Sequence, residues 1–251
     1  MSVTFRTIGG PTTVVEVGGR RLLVDPTFDE PRDYEMGGGR TLTKTQGPAL
    51  SAAEIGPLDA VLLSHDQHAD NLDESGRALL AGVPVTYTTP LGAERLGGNA
   101  VGLAPWEEAT LGQLTIIAVP AQHGPEGTEH LVGPVIGFVL VGPGEPTTYI
   151  SGDNASLDVV REIAARFEAI DVALLFAGAA RTPLIDGDLT LGATAAAEAA
   201  RILGEPEVVV VHCDSWAHFS DPCPNVAPAF AAAGLSAILH RPAHGEPVTL
   251  P

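Results

Sequence analysis

Basic residues, cysteines and long apolar runs are all scarce in this chain, and each scarcity excludes something. Lysine and arginine number 13 against 31 aspartates and glutamates, a formal net charge of −18 over 251 residues. Proteins that grip a nucleic-acid backbone carry a basic stripe, because phosphate neutralisation supplies most of their affinity. No such stripe is visible, so a nucleic-acid partner is not expected. No apolar run approaches the ~20 residues needed to cross a bilayer, and no membrane span is expected. The first residues, MSVTFRTIGG, lack a basic segment followed by an apolar one, so no secretory signal is read and the cytoplasm is the expected compartment. Cys213 and Cys223 are too few for a disulfide framework, and they are not spaced as a CxxC zinc knuckle. Cys213 is expected to point into the core. Neither GxGxxG nor GxxxxGK[ST] follows any strand, which disfavours dinucleotide and P-loop chemistry, and there is no GxSxG elbow to hold a serine nucleophile.

What is present is a chain 45% hydrophobic and only 18% charged, a composition that buries a core. Its length suits one domain over residues 1–251. Two stretches follow the same plan. TVVEVGGRRLLVDPTFD (13–29) reads as strand, Gly-Gly turn, strand and terminal Asp25; GFVLVGPGEPTTYISGDN (137–154) repeats it and ends at Asp153. Each is followed by a short apolar run entered through an aspartate, LDAVLLSHD (58–66) and IDVALLFAG (170–178), as expected of strands buried on both faces. Helices are expected at 74–81, at 156–169 with Ser156 as N-cap and Asp158 in the first turn, and at 190–204 with Gly204 just past its end. The fold expected from this duplication is of the α/β class: an αββα sandwich of two packed mixed sheets flanked by helices.

The densest chemical signal is SHDQHADNLD (64–73), directly after the buried strand AVLLS. Imidazole and carboxylate donors without thiolates suit Zn²⁺, Mn²⁺ or Fe²⁺. A polar surface loop would be the bland explanation of this segment. Three further donors stand at comparable strand ends: His123 after LTIIAVPAQ, Asp153 after TTYIS, and His212 after EVVVV. Each alone reads as a hydrogen-bonded loop residue. Four strand ends bearing His or Asp, in a chain with eight histidines, point to one metal centre.

The order of these segments resembles the metallo-β-lactamase superfamily and, within it, the ascorbate-6-phosphate-lactonase-like hydrolases. The resemblance runs from LLVDP to the last strand and implies a metallo-β-lactamase fold. It implies metal ligation by His65, His68, Asp70, His123, Asp153 and His212, with Asp70 and Asp153 as catalytic carboxylates. The superfamily's first motif, HxHxDH, is altered here. Either His65 or Asp66 takes the first position, one residue is inserted, and Asn71 stands where the final histidine would. The resemblance implies one or two divalent ions, zinc first and manganese or iron as alternatives. The expected activity is metal-activated hydrolysis of a small ester, lactone or phosphorylated substrate. A phosphodiesterase or ribonuclease on the same site, and a non-catalytic binding protein, are the competing readings. A homo-oligomer is left open.

Residues around the donors carry weaker signals. His218, Trp216 and Phe219 either line the pocket or pack structurally. Arg40, Lys44 and Arg181 are scarce cations that would suit an anionic substrate group or solvent. His130 is expected to be exposed, His240 and His244 to lie in a terminal hairpin, and Asp25 to cap the turn at LLVDP or support the donors.

Overall fold

The computed structural model describes residues 2–251. Strands β1 (Val3–Gly9), β2 (Thr12–Val17), β3 (Arg20–Val24), β4 (Arg32–Glu35), β5 (Thr41–Lys44), β6 (Ala60–Leu62), β7 (Thr86–Thr88) and β8 (Ala100–Gly102) fill the first part of the chain. The second part carries β9 (Glu108–Leu111), β10 (Leu114–Pro120), β11 (Ile136–Val141), β12 (Thr148–Ile150), β13 (Val172–Phe176), β14 (Glu207–Val211), β15 (Leu239–His240) and β16 (Pro247–Leu250). Helices α1 (Glu74–Leu80), α2 (Pro90–Leu96), α3 (Glu129–Val132), α4 (Leu157–Arg166), α5 (Ala193–Ile202) and α6 (Val226–Ala232) connect them.

Two seven-stranded mixed sheets result, ordered β16-β1-β2-β3-β6-β7-β8 and β15-β14-β13-β12-β11-β10-β9. In each, an antiparallel hairpin feeds a run of parallel strands: β2-β3 leads to β6, β7 and β8, and β11-β12 to β13, β14 and β15. The echo in the sequence is therefore a structural duplication. Gly18 and Gly19, both at positive φ, supply the two-residue turn between β2 and β3 that a right-twisted hairpin favours.

Alternation along the strands sends one set of side chains between the sheets. Phe5, Leu22 and Leu62 of the first sheet meet Ile116, Phe138 and Phe176 of the second. The opposite faces are covered by helices. α1 packs through Leu80 against Leu23, Val61 and Leu63, and α4 and α5 cover the second sheet with Val160, Ile163 and a run of alanines. The expected helix signals act locally. Ser156 Oγ accepts from the Val159 amide, Asp158 lies in the first turn of α4, and Gly204, at φ 89°, follows α5. The layers are those of the αββα sandwich.

Two expectations fail here. The terminal hairpin does not form: β15 pairs in parallel with β14, whereas β16 crosses to the other sheet and pairs antiparallel with β1. The open edge of β1 takes the last strand because Leu250 can bury there against the inter-sheet core. Cys213 and Cys223 are joined as a disulfide, against the expectation from their number. The backbone of Cys223 folds back to donate to the Cys213 carbonyl at 3.0 Å, an encounter no spacing rule encodes. Cys213 does lie in the core. No helix among the described residues is long and apolar enough to cross a membrane.

Candidate metal centre

β3, β6, β10, β12 and β14 all end at the same edge of the sandwich, since β3 and β6 are parallel, β12 to β14 are parallel, and β10 is two antiparallel steps from β12. Carboxyl ends of parallel strands are where open α/β sheets place ligands. Asp25, His65, His123, Asp153 and His212 follow these five strands. Asp25 and His212 hold φ of 39° and 58°, a left-handed region that costs a non-glycine residue energy and is concentrated at functional positions.

The six donors converge in two groups, His65, His68 and His123, and Asp70, Asp153 and His212, the ligand atoms of each lying within 4.8 Å of one another. His65 Nε2 and His123 Nε2 lie 2.9 and 3.3 Å from His68 Nδ1. His212 Nε2 is 3.3 Å from Asp70 Oδ2 and 3.7 Å from Asp153 Oδ1. Asp153 Oδ2 turns to the first group, 3.7 Å from His123 Nε2, so this carboxylate spans both. His65, Asp70, His123, Asp153 and His212 are buried.

Tautomers follow from the outer partners. His123 Nδ1 must donate to the Leu189 carbonyl at 2.9 Å, which leaves Nε2 as a lone-pair donor facing the centre. Ser64 Oγ gives its one proton to Asp25 Oδ2 and so accepts from His65 Nδ1 at 3.0 Å, freeing His65 Nε2 in the same way. Asn71 occupies the altered motif position as a clamp: its amide donates to Asp25 Oδ2 at 3.0 Å and to Asp153 Oδ1 at 3.1 Å. Asp25 itself is fully buried, and desolvation pushes its pKa up to about 7 against the opposing bonds from Asn71 and Ser64.

Burial holds His65 well below the ordinary imidazole range, with His68 and His123 adding to the effect, and burial likewise lowers His68. The second group is polarised the other way. Burial works against the charge on His212, but Asp153 and Asp70 outweigh it and raise its pKa. Burial also opposes ionisation of Asp70, yet His218 and His212 keep its carboxyl well below the usual range. The Nε2 lone pairs of His65 and His123 both face His68 Nδ1, an arrangement that a proton on that nitrogen or a cation among the three rings would hold together. Donors ~2.0–2.2 Å from a tetrahedral ion sit roughly 3.3–3.6 Å apart, close to the spacings observed. Asp153 Oδ2 is buried without a hydrogen-bond partner, as a ligand oxygen would be. The residues fit a divalent cation.

Asp66, the competing first ligand, is not among the converging donors. It is buried in an ion pair with Arg95, which turns it away, whereas His65 lies with His68 and His123. His218, left open by its sequence, stands beside the centre with Nε2 3.0 Å from Asp70 Oδ2, its ring against Phe219. Trp216 packs structurally, under Tyr34 and beside Lys44. Lys44 is no anion site, since its ammonium is buried against Asp73. His130 is exposed. His240 pairs with Glu207 and His244 with Asp214, both away from the donors.

A cleft of about 460 Å³ opens onto His68, Asp70, His123 and His218, with Arg40 and Arg181 at its mouth. The larger concavity, about 610 Å³, is a shallow surface around the β2–β3 turn with none of these donors.

An αββα sandwich with a His/Asp centre at the strand ends is the architecture of metallo-β-lactamase-fold proteins. Residues 20–213 match the family described as the beta-lactamase superfamily domain, and the chain belongs to it. A UPF0173 metal-dependent hydrolase of Methanosphaerula palustris is 28% identical over 214 residues, covering 82% of each chain. Another from Pelotomaculum thermopropionicum is 28% identical over 227 residues, 86% of each. The isothiocyanate hydrolase from Delia radicum gut bacteria superposes with a TM-score of 0.87 at 23% identity, covering 98% of this chain and 99% of that one. A metallo hydrolase from Ignicoccus hospitalis gives 0.73 at 22%, covering 100% and 99%. These two structures share the fold.

Proposed function

We propose that this chain hydrolyses a small ester, lactone or phosphorylated molecule at the His/Asp centre, with Asp70 and Asp153 as the catalytic carboxylates. Its class is metal-dependent hydrolase of the metallo-β-lactamase superfamily, the description its curated relatives carry. The observation that carries the reading is the convergence of six donors in two groups, of which His68, Asp70 and His123 line one cleft, with a buried, unpartnered carboxylate oxygen among them.

His65, His68 and His123 would hold one ion, and Asp70, Asp153 and His212 would hold a second or share the first. Zinc suits this donor set first, with manganese or iron as alternatives given the two carboxylates. A divalent cation there supplies Lewis-acid polarisation and lowers the pKa of water. The protein supplies the rest. Asn71, bonded also to Asp25, fixes the Asp153 carboxylate through Oδ1, and Asp70 and Asp153 would move a proton from the attacking water to the leaving atom. Asp70 orients His212 and His218 around the same space. Leu189 lines the cleft, and Phe219 packs against the His212 and His218 rings.

Metal content by inductively coupled plasma mass spectrometry tests this directly. Wild-type protein is expected to carry one to two equivalents, and His68→Ala substantially less. Asp153→Ala should lower turnover of a responsive ester about 10²-fold or more, the scale of lost acid–base catalysis. Undiminished activity in metal-depleted wild type, or in Asp153→Ala, would sink the proposal.

A further inference from the structure

The opening above this centre is rimmed by side chains that folding normally buries. Among the described residues five large apolar side chains are exposed, and three of them, Met36, Leu131 and Leu184, line the cleft. They come from separate parts of the chain: the tip between β4 and β5, helix α3, and the loop after Ala180. A single exposed leucine needs no explanation. Three that converge from distant segments on one polar floor form a patch of the kind that marks a binding site.

The cations at the mouth do not counter this. Arg40 donates from Nε and Nη2 to the carbonyls of Gly37 and Met36, and Arg181 donates from Nε to Asp188 Oδ1 at 2.6 Å. They are the only lysine or arginine side chains lining the cleft. A phosphate or carboxylate entering would meet one guanidinium paired with Asp188 and one held by the carbonyls of its own loop, in a chain of net charge −18. An uncharged head with a hydrocarbon tail meets no such penalty.

We propose that the substrate is an uncharged acyl ester or lactone bearing an aliphatic or aryl tail, its head at the His/Asp donors and its tail against Met36, Leu131 and Leu184. This rests on the hydrolase reading above and removes the phosphorylated option from it. In the reaction the oxygen of water forms the new bond to the acyl carbon and the acyl C–O bond breaks. One water proton passes to the leaving oxygen, so no further reactant is needed. The apolar rim contributes through the tail, independently of the bond that is cut.

The test uses metal-loaded full-length protein and p-nitrophenyl esters from acetate to octanoate. Each added methylene is expected to raise kcat/KM about three- to fourfold until the cleft is filled, the scale of ~0.8 kcal/mol per buried CH₂. Most of the gain should appear in KM, and p-nitrophenyl phosphate should be the poorer substrate. Leu184→Asp and Leu131→Asp should flatten the chain-length series. Binding of 1-octanol to metal-free protein by saturation-transfer NMR reads the tail site without any turnover. Octanol binding that Leu184→Asp removes, with no ester hydrolysed, would retain the tail site and overturn the hydrolase reading. A flat ester series with no octanol binding overturns the proposal. So does a dimer by light scattering that Leu184→Asp dissociates, since a second copy would then cover the rim.

Discussion

Lys44 and Asp73 form a fully buried ion pair, Nζ to Oδ2 2.9 Å, with side chains 2% and 0% exposed. Asp73 serves three groups at once, because it also accepts from the Asp29 amide and, as N-cap of α1, from Gly76. Removing one partner of such a pair leaves the other charge buried and uncompensated, at a cost of about 3–5 kcal/mol. Lys44→Ala is therefore expected to lower the urea midpoint sharply, and a loss below about 1 kcal/mol would show the pair to be unimportant. Arg181→Ala, on an exposed pair with Asp188, should change stability little by the same measurement. The contrast separates two cations that look alike in sequence.

At the scale of elements, the centre depends on how closely the loops after β13 and β14 approach. A Cβ on Gly178 would lie 2.2 Å from the His212 carbonyl oxygen and 2.7 Å from Phe219 Cδ1. The first of these is backbone and cannot yield cheaply. Gly178→Ala should push the β14 loop outward, destabilise the fold by at least the ~1–3 kcal/mol of an overpacked core, and lower metal content. Calorimetry alongside metal stoichiometry reads both; a variant unchanged in either would contradict the close-packed view. The Cys213–Cys223 disulfide brackets the same loop, which carries His218 to the cleft and Phe219 against the His212 ring.

At the scale of the whole molecule, the chain end is tied to both sheets. β16 completes the first sheet, and His244 bonds to Asp214 at 2.8 Å, beyond β14, and to Thr7 of β1 at 2.9 Å. The bond to Asp214 raises His244 above 6.5, against burial. Burial opposes ionisation of Asp214, but His244, the Gly10 amide and Ser215 hold it below 3.8. The signs give a window. The histidine's contribution is complete below pH 6.5 and is lost as pH rises through its raised value. The aspartate's is complete above pH 3.8 and is lost as pH falls through its depressed one. The stability difference between wild type and His244→Gln should thus be largest between these limits and shrink on either side. A difference independent of pH in urea titrations would show that the pair does not titrate as described.

Local sequence determined the strands, their ends and the donor types at those ends, because a period of two or a short apolar run is written in neighbouring residues. The duplicated hairpin, and the candidate donors His65, His68, His123, Asp153 and His212 that the fold brings together, were legible for that reason. Asp66 was not separable from His65 until Arg95, 29 residues away, claimed its carboxylate. Lys44 resembled a free cation until Asp73 buried it, and the terminal hairpin gave way to an edge of β1 that only the assembled sheet exposes. His218, the disulfide and the rim of Met36, Leu131 and Leu184 share that origin. Each depends on segments far apart in the chain meeting at one place, and such meetings are decided by which surfaces the packed sheets leave to be covered or left open.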